Sequence, residues 1–99
     1  EYIQANRIRM QIMEAMADLM RTVDVFLVPQ LAANNLTLTN LTGQPTIGLP
    51  NGLTEAGMPT GINLVGGVLG EGKLLAVAKA YQDATDFHLR RPAMVYASM

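Results

Sequence analysis

Polar residues recur at Gln4, Arg7, Gln11, Glu14, Asp18 and Arg21, and Ile8, Ile12, Ala15, Met16 and Leu19 fall between them. That spacing predicts an amphipathic helix over residues 2–22. No Gly or Pro precedes Pro29, so nothing interrupts it. The pattern then changes to Val23-Asp-Val-Phe-Leu-Val28 before Pro29, a short β-branched and aromatic run. Such a run suits a strand buried on both faces, as in parallel sheets. Residues 30–45, rich in Asn, Thr and Leu, read as irregular with at most one helical turn. Two short strands follow, Thr46–Leu49 closed by Pro50 and Gly61–Val65 closed by Gly66-Gly67. The turn signals Asn51-Gly52 and Gly57-Met58-Pro59 separate them by too few residues for a helical crossover, so they should be antiparallel neighbours. Proline in or beside a strand favours an edge or a bulge. Over residues 71–85, Leu74, Leu75, Val77, Ala78, Tyr81 and Ala84 share one face of a second amphipathic helix, with Glu71 complementing its N-terminus. The order α-β-(irregular)-β-β-α places the chain in the α/β class.

Composition narrows this picture. Residues 1–99 form one domain or part of one, and a chain this short buries only about 60–65% of its unfolded surface. Met10, Met13 and Met20 widen the first helix's apolar face beyond what so thin a core needs, and read as flexible core fillers. A net charge of −1 and a pI near 5.7 leave no basic stripe for phosphates, so no nucleic-acid partner is expected. The absence of cysteine removes disulfides, thiolate zinc ligands and thiol catalysis, and fits a reducing, cytoplasmic compartment. The longest apolar runs are strand-sized, so no membrane span is expected. Because the sequence begins at Glu1 rather than Met, a fragment of a longer chain is expected.

Candidate chemistry is sparse. Gly67-Val-Leu-Gly-Glu-Gly72-Lys73 has the spacing of a phosphate-binding loop, but Leu74 stands where a Mg²⁺-ligating Ser or Thr is needed. Glu71 also puts negative charge where phosphate oxygens would sit, which argues against nucleotide binding. The one Ser, Ser98, lies next to the C-terminus, and the one His, His88, reads as a surface or capping residue past a helix end. Neither a catalytic triad nor a metal site can be assembled from them, so no cofactor and no metal are expected. Asp83 and Asp86 read as solvated, and the tripeptides Asn35-Leu-Thr37 and Asn40-Leu-Thr42 as side chains satisfying irregular backbone rather than glycosylation sites.

The stretch Asn40-Leu-Thr-Gly43-Gln-Pro45-Thr-Ile-Gly-Leu-Pro50-Asn-Gly52 is more specific. It resembles the Asn-x-x-Gly-x-Pro…Pro-x-Gly pattern near the C-terminus of amidase-signature enzymes. Met58-Pro59-Thr60-Gly61, the strand to Gly66 and the helix from Glu71 follow in that family's order. Upstream, Asp24-Val-Phe-Leu-Val-Pro29 is similar to the family's Asp-hydrophobic-Pro strand. Downstream, Ala84-Thr85-Asp86-Phe87-His88 with Arg91-Pro92 resembles its closing segment. The resemblance covers nearly the whole chain.

The resemblance implies a fold and an activity. The fold is the C-terminal part of an α/β/α sandwich around a large mixed sheet, and the activity is amide hydrolysis by a Ser–cis-Ser–Lys triad. The triad belongs to the family's N-terminal and central parts, and Lys73 and Lys79 do not align with its Lys. No catalytic residue is therefore expected here, and the expected partners are the missing N-terminal part of the chain and a small-molecule amide. Thr39, Asn40, Thr42 and Gln44 are the candidates for lining the substrate cleft. The family's glutamine-using amidotransferase subunits carry an acidic residue shortly before the Asn-x-x-Gly-x-Pro motif. This chain has no Asp or Glu between Asp24 and Glu55, which favours a neutral amide and a general amidase. The alternatives are a non-catalytic binding or assembly module derived from the same fold, and the glutamine-using amidotransferase branch itself. An isolated segment exposing apolar faces is expected to associate with itself.

Overall fold

The computed structural model describes residues 1–30 and 35–91. Leu31–Asn34, Pro92 and Ser98 lie outside the described residues.

Helix α1 spans Tyr2–Leu19, three residues shorter than its apolar period. Met20 caps it, and the Thr22 hydroxyl donates to the Leu19 carbonyl at 2.6 Å, turning the chain towards the sheet. No residue of α1 is buried. The Arg9 Nε–H donates to the Leu41 carbonyl at 2.8 Å and ties it to a second helix, α2 at Asn35–Thr42.

That second helix corrects the sequence reading. Asn35–Thr42 is an α-helix of eight residues where irregular chain with one turn was expected. Its Asn and Thr residues have weak helix propensity, and of its three leucines only Leu38 and Leu41 stand at a helical spacing. Two threonines offset this by turning inward: the Thr39 hydroxyl lies 3.2 Å from the carbonyls of both Asn35 and Leu36, and Thr42 Oγ1 lies 3.0 Å from Leu38 O. Gly43, at φ +78°, closes the helix in the left-handed region, its N–H donating to Thr39 O at 2.9 Å.

Three strands follow the order β1-β3-β2, with β1 at Val25–Pro29, β2 at Thr46–Leu53 and β3 at Pro59–Gly66. Both pairings are antiparallel, as expected for β2 and β3. The expectation of a parallel, doubly buried β1 is overturned. This strand pairs antiparallel with β3 in the register Phe26↔Val65, and Leu27 is 60% exposed. The β2–β3 hairpin is longer than predicted because it runs through Pro50, where a register shift between Pro50 and Gly52 absorbs the missing N–H.

Helix α3, Glu71–Ala84, covers one face of the sheet. Leu74 and Ala78 pack with Leu49 and Leu64, flanked by Val25, Ile47, Ile62 and Tyr81. Pleating turns Val65 to the opposite face, where it is fully buried. A 3₁₀ turn, η1 at Phe87–Leu89, packs against β2, with the Phe87 ring within 4 Å of the position a Cβ on Gly52 would take. Helices with a β-sheet fit the α/β class expected from sequence. No helix among the described residues is long and apolar enough to cross a membrane.

Candidate functional site

The Asn40–Gly52 motif begins inside α2 and runs into β2, so its first half is held by a helix end and its second by a strand. Gly43 reverses the chain, and Gln44 then turns inward and is buried. Its side-chain amide donates to the Gly66 carbonyl at 3.1 Å, and its Oε1 lies 2.8 Å from Thr42 Oγ1. The Gly66 N–H returns a bond to Pro45 O at 3.0 Å. The start of β2 is thus locked to the end of β3 by one side-chain and one main-chain bond. Thr42 has a single hydroxyl proton to share between Leu38 O and Gln44 Oε1.

A cleft of about 470 Å³ opens beside this lock, between α1 and the end of β3. Met13, Met16, Ala17 and Met20 form one wall, and Thr42, Gln44, Gly67 and Val68 the other. Glu14 and Arg21 also line it, Arg21 in an exposed ion pair with Asp18. Of the methionines widening the face of α1, Met13 and Met20 therefore meet a cleft rather than a packed core, and Met10 is exposed. Thioethers on flexible stems shape themselves to varied apolar groups.

Of the four residues expected at a cleft, the structure brings Thr42 and Gln44 to its wall. Thr39 is buried with its hydroxyl on carbonyls of its own helix, and Asn40 is exposed on the outside of α2. Gln44, with one N–H and one lone pair engaged, retains a second donor and acceptor for a polar ligand group. The methionine wall had one legible signal, the surplus of Met on α1. Gly67 and Val68 had none, because they reach the cleft only through the fold.

The phosphate-loop spacing resolves into a tight strand-to-helix turn. The Gly70 N–H donates to Gly67 O at 2.8 Å, and Lys73 reaches the Asp24 carboxylate at 3.3 Å. That pairing directs Lys73 to β1 rather than to an anion on α3. His88 is half-buried in η1, just past the end of α3, and its Nδ1 has no hydrogen-bond partner among the described residues. Tyr81 and Phe87 stack at 6.4 Å nearby, and the Arg90 guanidinium lies 4.9 Å from the Phe87 ring centre. Among the described residues nothing joins His88 to the cleft.

No family model matches the chain. The A subunit of glutamyl-tRNA(Gln) amidotransferase from Nostoc punctiforme is 34% identical over 110 residues, covering 92% of this chain. Its counterpart from Thiobacillus denitrificans is 36% identical over the same span and coverage. That of Cupriavidus necator reaches 52% over 54 residues, covering 54% of the chain. The chain spans only 11% to 23% of the length of these relatives. The 110-residue alignments are longer than the 99-residue chain, so the two longer matches carry residues that this chain lacks. Identity of this order across 92% of the residues, with the motifs in family order, shows that the chain belongs to the amidase-signature family.

Proposed function

We propose that this chain is the non-catalytic C-terminal portion of an amidase-signature amide hydrolase, and that its cleft takes part in holding a neutral amide. The observation that carries the proposal is the Asn40–Gly52 motif locked beside an apolar cleft in a chain without a usable nucleophile. Thr42 and Gln44 line that cleft, and the sequence holds one Ser, one His and no Cys. In this reading the Ser–cis-Ser–Lys triad lies in sequence that the relatives have beyond the matched segment. The methionine wall takes an apolar acyl or amine group, and the free polar sites of Gln44 orient the amide. The protein works in the cytoplasm.

A second reading, part of a glutamine-using amidotransferase, is favoured by the names of the relatives. Against it stands the absence of any Asp or Glu between Asp24 and Glu55, which leaves no carboxylate in the sequence shortly before the motif, where that branch carries one for the α-amino group of glutamine. The discriminating experiment places this chain in the Thiobacillus denitrificans relative in exchange for the matching segment. A simple aromatic amide and glutamine are then compared as substrates. Faster turnover of the aromatic amide supports the general amidase, and preference for glutamine supports the second reading.

A further inference from the structure

We infer that Met13, Met16 and Met20 form a binding site for a soft monovalent metal ion, of the class of Cu⁺ and Ag⁺, in the cleft between α1 and the end of β3. The site goes beyond the proposed function and does not depend on it.

The three methionines follow one another at steps of three and four residues on α1, and all three line that cleft. Such steps bring residues onto one face of a helix. Met13 and Met20 are about 10.5 Å apart along the helix axis, with Met16 between them. Each thioether rides on three rotatable bonds, so Met13 and Met20 can lean towards Met16 and bring three sulfurs around one ion. The three residues are half-buried, which limits the water that competes for that ion. Met20 is also held in place. Its Cβ, Cγ and Cε lie 3.8, 4.0 and 4.0 Å from the position a Cβ on Gly67 would take, so its whole stem rests against the β3–α3 turn.

The donors select the kind of ion. Harder ions need clusters of carboxylates, imidazoles or thiolates, and among the described residues no three His, Cys, Asp or Glu stand together. Thioethers are neutral and polarisable, and soft ions such as Cu⁺ prefer them. Neutral donors leave the charge of the ion uncompensated, and one opposite charge is at hand. Glu14 lines the same cleft and is in no ion pair among the described residues, whereas Arg21 is already paired with Asp18. A single carboxylate balances a monovalent ion and leaves a divalent one half-compensated. In the function proposed above, the same wall takes the apolar group of an amide. An ion that gathers the three sulfurs draws that wall together, so ion and amide exclude one another.

The test is titration of the 99-residue chain with silver nitrate in chloride-free buffer, followed through the methionine methyl signals in NMR spectra. Silver is the probe because it is soft, monovalent and keeps its oxidation state. The methyls of Met13, Met16 and Met20 should shift together and saturate at one ion per chain. Those of Met10 and Met58, both exposed and outside the cleft, should stay in place, and zinc sulfate should move none of the five. Shifts that include Met10 or Met58, saturation at several ions, or equal shifts with zinc overturn the inference. Met13→Leu, Met16→Leu and Met20→Leu combined keep the apolar volume and should abolish silver binding, whereas Met10→Leu with Met58→Leu should leave it intact. Binding retained by the triple variant contradicts the site. Should that variant fail to fold, the methyl shifts of the parent chain decide alone. No substrate is present, so silver binding by a chain whose cleft holds no amide refutes the proposed function and leaves the metal site standing.

Discussion

The side-chain amide of Gln44 donates to the carbonyl of Gly66 at 3.1 Å, joining two buried residues 22 positions apart. This bond fixes where the cleft wall meets the end of β3. Replacing Gln44 by Leu removes the donor and leaves the Gly66 carbonyl buried without its side-chain partner. Such a loss costs about 1–3 kcal/mol, read as a lower urea midpoint with the m-value unchanged.

Gln44→Glu makes the same contact depend on pH. A carboxylate there faces the Gly66 carbonyl, whereas the protonated acid can donate to it. Burial and that carbonyl raise the folded-state pKa of the new group above its unfolded value of about 4.3. Stability should therefore be greatest below pH 4.3 or so and fall as pH rises through the raised value. Urea midpoints across that range should rise on acidification relative to the parent chain. A flat difference contradicts the assigned bond.

Thr42 holds both the α2 helix and Gln44 with one hydroxyl. Thr42→Val keeps the shape and removes the proton, leaving Gln44 Oε1 and Leu38 O to compete for no donor. The expected loss is about 1–2 kcal/mol in thermal or urea unfolding. Thr37→Val, on the exposed side of the same helix, should change stability by about 0.5 kcal/mol or less.

Neighbouring residues of the β3–α3 turn should respond in opposite directions. Leu69 has φ +61° and is 85% exposed, so Leu69→Gly relieves the left-handed backbone and should stabilise by about 0.5–1 kcal/mol. A Cβ on Gly70 would meet the Gly67 carbonyl oxygen at 2.9 Å, so Gly70→Ala should destabilise by about 1–3 kcal/mol. Melting temperatures of the two variants check both signs.

Much of the fold was legible because periodicity and turn chemistry are local. The stripes of α1 and α3 and the turn signal at Gly57-Met58 declare themselves within a few residues, whereas Asn51-Gly52, read as a turn, lies inside β2 at its register shift. Helix α2 did not, because its stability comes from threonine hydroxyls bonded to carbonyls three and four residues back and from Gly43 at positive φ. Nothing in the order Asn-Leu-Thr-Leu-Thr announces that choice. The apolar residues of β1 were legible, but its antiparallel partner was not, since pairing with β3 is a long-range contact. At the candidate site the motif residues Thr42 and Gln44 could be named from sequence. Their link to Gly66 and the facing methionine wall depend on three elements meeting in space.

The most direct test of the central claim is hydrolysis of a simple aromatic amide by the 99-residue chain and by the Thiobacillus denitrificans chimera that contains it. The expected result is no turnover above buffer by the chain alone and measurable turnover by the chimera. Turnover by the 99-residue chain on its own would contradict the assignment of a non-catalytic portion.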